Sequence, residues 1–187
     1  MSDGLRELFQ RYLRRYPVER RVVRRFSALL SEGRLAFSRD RREGHLTASA
    51  WVVDAEGRSV LLVHHRKLDR WLQPGGHADG EEDLLSVAQK EVLEETGVST
   101  SSLEPVEILD LDIHPIPPRG ELPGHDHYDV RFLLVAGAGE TARGNEETWG
   151  AIWVPIDRLE EITREESILR MRSKAGELLR RASPGAT

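Results

Sequence analysis

The sequence of 187 residues contains no cysteine, and this absence removes several kinds of chemistry at once. Disulfide bridges, thiolate nucleophiles and cysteine-ligated zinc sites are all excluded. The chain also lacks any apolar run near the roughly 18 residues that a membrane-spanning helix needs. The N-terminus shows no apolar segment ahead of a small-residue cleavage site, as a secretory signal would. We therefore expect a cytoplasmic protein without a membrane partner.

Charge, in contrast, is abundant, and its distribution along the chain is uneven. Residues 1–43 carry 12 Arg and Lys against 6 Asp and Glu, whereas the remaining residues carry 15 against 26. A basic N-terminal extension of this kind could contact nucleic acid or another anionic surface. The alternative, which we favour, is a helical extension that docks on the acidic body, and this alternative leaves a homodimer open.

Hydrophobic periodicity divides the chain into a helical extension, residues 1–43, and a following domain, residues 44–187. From His45 onward the period changes from helical spacing to two, which is typical of strands. Helices are predicted over 4–15, 18–32, 83–96, 156–161 and 165–181, with a charged linker at 34–44. Strands are predicted over 45–53, 59–65, 105–116, 127–136 and 149–155. This order predicts an α/β protein with a mixed sheet sandwiched between helices.

The segment QKEVLEETGV, residues 89–98, holds three carboxylates where a stable helix would not normally have them. Glu91, Glu94 and Glu95 lie at i, i+3 and i+4, where like charges repel by about 0.2–0.5 kcal/mol per pair. On a helical wheel Glu91 and Glu95 fall within the apolar stripe and Glu94 at its edge. Inward carboxylates need a compensating charge, and Lys90 points away from that face. A hard divalent cation, Mg²⁺ or Mn²⁺, would supply this charge.

The Gly-rich loop ahead of this helix, WLQPGGHADGEED, supports a metal site. Gly75 and Gly76 allow a tight turn and a close backbone approach, so that the Gly75 carbonyl is a further candidate ligand. Mg²⁺ held by a few carboxylates commonly binds substrate phosphates as well, and it can activate a bound water. The residues alone therefore predict metal-assisted hydrolysis of a phosphoric anhydride.

Residues 76–98, GHADGEEDLLSVAQKEVLEETGV, resemble the Nudix box. The family pattern is Gly, five residues, Glu, seven residues, and then Arg-Glu-apolar-x-Glu-Glu-x-Gly-apolar. The matching residues here are Gly76, Glu82, Glu91, Val92, Glu94, Glu95, Gly97 and Val98. The resemblance implies a Nudix-type α/β/α sandwich. It also implies hydrolysis of a nucleoside diphosphate linked to another group.

The resemblance further implies roles for individual residues. Glu91, Glu94 and Glu95 match glutamates that bind metal and activate water in the family, without showing which one is the base. Lys90 stands where the family has an Arg that braces the loop and helix through the glutamate matching Glu82. Because Lys lacks the planar guanidinium fork, we expect a looser brace. A further acidic ligand often precedes a late strand. Glu146 or Glu147 is the candidate, unless this pair simply lies on a loop surface.

A second polar group lies in the segment GHDHYDVRF, which places His125, His127 and Asp129 on alternate positions of a strand, facing one way. With His114 they are candidates for a substrate-facing cluster or for a second metal site. Solvated loop histidines are the alternative. None of the short substrate tags of the Nudix subgroups is intact, so the sequence does not identify the nucleoside diphosphate derivative.

Two functions of other classes compete with hydrolysis. An isomerase acting on isopentenyl diphosphate is disfavoured, because that chemistry depends on a cysteine. A catalytically silent, nucleotide-sensing Nudix domain with a regulatory or nucleic-acid-binding role is disfavoured as well, because such domains usually lose the glutamates of the box. Glu91, Glu94 and Glu95 are all present here.

Overall fold

The computed structural model describes residues 2–118, 120, 123–146 and 148–182. The α-helices are α1 (Ser2–Arg15), α2 (Arg20–Leu30), α3 (Leu84–Thr96), α4 (Leu159–Ile162) and α5 (Glu166–Ala182). The strands are β1 (Gly44–Val53), β2 (Ser59–His65), β3 (Arg70–Leu72), β4 (Gly75–His77), β5 (Thr100–Ser102), β6 (Ile108–Ile116), β7 (His125–Ala136) and β8 (Thr148–Pro155). Three 3-10 helices cover Pro17–Glu19, Gly33–Phe37 and Ile156–Arg158. Within the described residues no helix is long and apolar enough to span a bilayer.

The strands form one mixed sheet around the parallel pair β1 and β7. In this pair His45 lies opposite His127 and Val53 lies opposite Val135. Antiparallel neighbours complete the sheet: β2 and β4 on β1, β5 and β6 on β7, and β3 and β8 on β2. The predicted mixed sheet is therefore confirmed. Strands β3, β4 and β5 were not predicted, because three residues are too few to show a period.

The two faces of β1 meet different layers, as the alternation of its side chains requires. Its even-numbered residues, from Leu46 to Val52, belong to a core shared with α1, α2 and α3. Its odd-numbered residues Trp51 and Val53 lie in a second core with α5. Nearer its start the same odd-numbered face carries polar side chains, beginning with His45. Helices thus cover both faces of the sheet, and the polar end of the second face stays free of the apolar cores.

The N-terminal extension is docked on the body through apolar and charged contacts. The rings of Phe9 and Phe26 meet edge-on at 5.6 Å, and both are buried in the core of the even-numbered face. Arg15 donates to the Ile108 carbonyl at 2.5 Å. The prediction of a linker over 34–44 is wrong, because a 3-10 helix there buries Phe37. The many charged neighbours hid this apolar anchor from the sequence reasoning.

Candidate active site

Helix α3 carries the predicted catalytic glutamates, and both of its ends follow from the sequence. Asp83 caps the N-terminus by accepting a hydrogen bond from the Ser86 amide at 3.2 Å. Gly97 ends the helix with a φ of 71°, in the left-handed region that favours glycine. Val92 is fully buried against the sheet, so the rotation of the helix about its axis is fixed.

The three carboxylates of α3 differ in exposure in the order that the helical wheel predicts. Glu95 is buried, with 7% of its surface exposed, Glu91 is half-buried and Glu94 is exposed. Lys90 points away from the sheet, and its Nζ lies 3.7 Å from a Glu94 carboxylate oxygen. The helix therefore directs Glu91 and Glu95 towards the sheet, with Glu94 at the solvent boundary.

Strand β4 approaches these carboxylates closely, and it can do so because it begins with two glycines. The Gly75 amide donates to the Glu95 carboxylate at 3.0 Å. A Cβ on Gly76 would overlap the carboxylate of Glu91. A side chain at position 76 would displace the Glu91 carboxylate, whereas one at position 75 would overlap Ser49 and the Ala48 carbonyl of β1.

The direction of the Gly75 carbonyl follows from the strand register. Gly75 lies opposite Ser49, and Gly76 lies opposite Ala48. Pro74, the residue before β4, accepts a hydrogen bond from the Ala50 amide. Along an antiparallel ladder, residue pairs that are hydrogen-bonded to each other alternate with pairs that are not. Because Pro74 is bonded to Ala50, the next pair, Gly75 and Ser49, is not bonded, and the amide and carbonyl of Gly75 both point away from β1. The amide reaches Glu95, and the carbonyl therefore faces the same edge of the sheet.

This donor set fits a hard divalent cation. The candidate donors are carboxylate and carbonyl oxygens, the ligands that Mg²⁺ and Mn²⁺ prefer. The Glu95 carboxylate contacts Gly75 and the Glu91 carboxylate lies against Gly76, both on β4. Three carboxylates on one helical surface repel one another unless a cation compensates them.

The predicted brace between Lys90 and Glu82 is wrong as a direct contact. Lys90 pairs with Glu94, whereas the nearest cation to Glu82 is Arg34, whose Nε lies 3.8 Å from Oε1. Glu82 precedes α3 and lies in the loop between β4 and that helix. A lysine side chain one turn from Glu94 reaches that carboxylate instead. The 3-10 helix Gly33–Phe37 supplies Arg34, which the sequence reasoning missed.

The loop ahead of β8 approaches the C-terminal end of α3. The Asn145 side-chain amide donates to the Glu94 carbonyl at 3.1 Å. Arg66 donates to the carbonyl of Glu146 at 2.7 Å, and Glu146 itself is exposed. The other predicted acidic ligand, Glu147, lies outside the described residues. Through Asn145 the loop contacts the C-terminal end of α3, and the role of Glu146 as a ligand stays a prediction.

Asp129 lies on the polar end of the odd-numbered face and is surrounded by donors. The hydroxyls of Thr47 and Ser49 donate to its carboxylate at 3.1 and 2.7 Å, and Arg131 Nε donates at 2.8 Å. The Gln73 amide lies at 3.4 Å. This buried carboxylate orients its neighbours beside Gly75. Its predicted part in substrate binding is not tested by these contacts.

Arg131 continues this face into a buried charge network. Its guanidinium bonds to Asp110 at 3.2 Å and to Asp112 at 3.0 Å, and Arg170 of α5 bonds to both carboxylates. Burial alone would raise the pKa of Asp112, but the His114 hydrogen bond and the Arg131 charge hold it well below its usual range. The network therefore stays ionised at neutral pH and fixes β6 and β7 to α5.

Five histidines meet at the start of the same face. The predicted residues His114, His125 and His127 do lie together, with ring centroids 5.5 and 5.2 Å from that of His127. The sequence reasoning missed His45 and His77, which lie 5.2 and 4.8 Å from His127. Burial lowers the pKa of His77 to about 4 and that of His127 to about 2. These two rings are neutral at pH 7.

Comparison with known proteins places this geometry in a family. The family model described as NUDIX domain matches residues 44–176, whereas no curated protein matches the sequence. A solved NUDIX-family hydrolase from Clostridium perfringens is 26% identical, with 74% of this chain and 99% of that chain covered and a TM-score of 0.56. The Ap4A hydrolase of C. elegans, solved as a binary complex, is 15% identical, with 72% and 96% covered and a TM-score of 0.55. The NUDIX domain of Shewanella oneidensis NrtR, solved with ADP ribose, is 20% identical, with 72% and 87% covered and a TM-score of 0.52.

The family match spans most of the chain and includes the whole of β1, β4, α3 and β7. Within residues 76–98, Gly76 lies on β4 and Glu91, Glu94 and Glu95 lie on α3, and Gly76 meets the Glu91 carboxylate. The chain belongs to the NUDIX family.

Proposed function

We propose that this chain is a divalent-metal-dependent enzyme that cleaves a phosphoric anhydride bond in a nucleoside diphosphate linked to another moiety. The observation that carries this proposal is the convergence of Glu91 and Glu95 on the Gly75–Gly76 backbone. This arrangement holds carboxylate oxygens, which are ligands that Mg²⁺ and Mn²⁺ prefer, together at the edge of a sheet.

The proposed cation is Mg²⁺ or Mn²⁺, held by Glu91, Glu94, Glu95 and the Gly75 carbonyl. Glu146 is a further candidate ligand from the loop ahead of β8. When bound, such an ion would neutralise phosphate charge and lower the pKa of a bound water.

The chain's own residues would position the reacting groups. The hydrogen bond from the Gly75 amide holds one Glu95 carboxylate oxygen in place. One of the α3 glutamates would accept the proton of the attacking water, because a carboxylate is the available base on this edge. Ser49 and Gln73, whose side chains lie 3.3 Å apart beside Gly75, provide polar groups for a substrate.

The experiment that tests this function is a screen of nucleotide derivatives with Mg²⁺ or Mn²⁺, with products identified by mass. The panel would include Ap4A and ADP ribose, the compounds named for the C. elegans and Shewanella oneidensis structures. We expect at least one nucleoside diphosphate derivative to be cleaved between two phosphates, and chelator to stop the reaction. Tight nucleotide binding without turnover of any compound would instead support a nucleotide-sensing domain.

A further inference from the structure

Three imidazoles converge from three different strands at the start of the polar face. His45 comes from β1, His77 from β4 and His127 from β7, and one ring nitrogen of each lies within 4.8 Å of the others. The register of the sheet sets this convergence, because His45 lies opposite His127, and His77 lies opposite Thr47. Paired strands hold side chains more firmly than loops do, so this is a positioned cluster.

Two of these rings present buried nitrogens that have no hydrogen-bond partner. Nε2 of His45 and Nε2 of His127 are both buried and unpartnered. The other nitrogen of His45, Nδ1, lies 3.4 Å from the Arg41 carbonyl and can donate to it. In that tautomer Nε2 of His45 carries the lone pair. Burial without a hydrogen-bond partner destabilises such nitrogens, and a bound metal ion would remove that cost.

We propose that His45, His77 and His127 form a binding site for a transition-metal ion, with zinc as the expected occupant. Three neutral imidazoles are a ligand set that zinc accepts, with a fourth position left for water or another ligand. The cluster offers no carboxylate or carbonyl set of the kind that Mg²⁺ prefers. Zinc would satisfy both unpartnered nitrogens together.

The distances are compatible with such a site after small ring movements. Zinc–nitrogen bonds of 2.0–2.1 Å in tetrahedral geometry place ligand nitrogens about 3.4 Å apart. The nitrogens here are separated by up to 4.8 Å, so the rings would draw in by about 1.4 Å. The Arg41 carbonyl would orient His45 as an outer partner, as metal-bound imidazoles usually require.

This zinc site is distinct from the glutamate site, although both include β4. Side chains alternate between the faces of a strand, so His77 and Gly76 face opposite layers. Gly76 faces Glu91 of α3, whereas His77 shares the other face with His45 and His127. A bound zinc would join β1, β4 and β7, and would thereby hold the strand whose glycines contact the catalytic helix. The inference does not depend on the proposed function.

The test is zinc binding by metal-stripped protein, measured by calorimetry and by metal analysis after desalting. We expect one zinc per chain in this site, and His77→Ala and His127→Ala to weaken its binding by about a hundredfold or more. His64→Ala is the matched control, since His64 stacks on Trp71 outside the cluster, and it should bind as the wild type does. Glu95→Gln should also keep zinc affinity, even if its hydrolytic activity is lost.

A second measurement on the unmodified chain covers the case in which a histidine variant fails to fold. Co²⁺ in place of zinc should give the intense visible absorption of a tetrahedral site. Added zinc should shift the imidazole NMR signals of the three histidines together and raise the melting temperature. Zinc bound equally by wild type and by folded His77→Ala and His127→Ala would overturn the proposal. So would wild-type protein that retains no zinc and shows neither the Co²⁺ absorption nor the histidine shifts.

Discussion

The Gly75 amide donates to the Glu95 carboxylate at 3.0 Å, and this bond joins β4 to the helix that carries the candidate catalytic groups. The next residue, Gly76, lies against the Glu91 carboxylate. Two successive backbone positions thus fix the places of two carboxylates.

Gly76→Ala should lower kcat by at least about tenfold, because the new methyl group displaces the Glu91 carboxylate. Steady-state kinetics on the substrate found in the screen would measure this effect. Gly150→Ala in β8 is the control, since a Cβ there meets no atom within 4 Å. If Gly76→Ala kept the wild-type kcat, Glu91 would not need its present position for the chemistry.

Lys90→Ala should change stability by less than about 1 kcal/mol, because its ion pair with Glu94 is largely exposed. It should also strengthen Mn²⁺ binding by about two- to fivefold, since it removes a positive charge beside the carboxylates. Mn²⁺ titration followed by electron paramagnetic resonance would test this expectation, with Lys90→Arg as the charge-conserving control. Weaker Mn²⁺ binding by Lys90→Ala would show that Lys90 braces the site after all.

Lys174→Met should cost about 3 kcal/mol of unfolding free energy, measured by urea denaturation. The ammonium of Lys174 is buried and pairs with Glu19 at 2.6 Å and with Asp110 at 2.7 Å. Its loss therefore leaves the buried Asp110 and the half-buried Glu19 short of compensating charge. Arg158→Met removes an exposed ion pair with Glu161 and should leave the denaturation midpoint near that of wild type. Equal midpoints for the two variants would contradict a structural role for the Lys174 network.

Alkaline unfolding should report the docking of the N-terminal extension on α5. Burial, together with Glu177, raises the pKa of Tyr16 to about 12 from its ordinary 10.0. The folded state therefore keeps this proton to a higher pH than the unfolded state does. The contribution of the protonated Tyr16 to the free energy of unfolding is complete below pH 10 and is lost as the pH rises towards 12. Tyr16→Phe should lose stability less steeply over this interval. Parallel stability profiles for Tyr16→Phe and wild type would count against this linkage.

Features set by local periodicity were predictable from the sequence. The 3.6-residue period placed Glu91 and Glu95 on the sheet side of α3, and Gly97 marked the end of the helix. These predictions depend only on neighbours within a few turns along the chain, where spacing alone determines which side chains share a face.

Features set by long-range pairing were not predictable in the same way. His45 lies beside His127 because β1 and β7 pair in parallel. The same register places Thr47 beside Asp129, although the two residues are 82 positions apart in the sequence. The short strand β4 adds His77 from a segment that shows only glycine-rich loop character. Arg34 reaches Glu82 from a segment interpreted as a linker. The spacing of apolar residues within one segment does not show which distant strand it pairs with, or in which register.

The most direct test of the central claim is the rate of anhydride hydrolysis by wild type and Glu95→Gln over a series of free Mg²⁺ concentrations. Wild type should be inactive in chelator and should gain activity with Mg²⁺ until it saturates. Glu95→Gln, which loses one carboxylate beside Gly75, should be slower by about two orders of magnitude or more at every concentration. Full wild-type activity in chelator, or an unchanged rate for Glu95→Gln, would contradict the account.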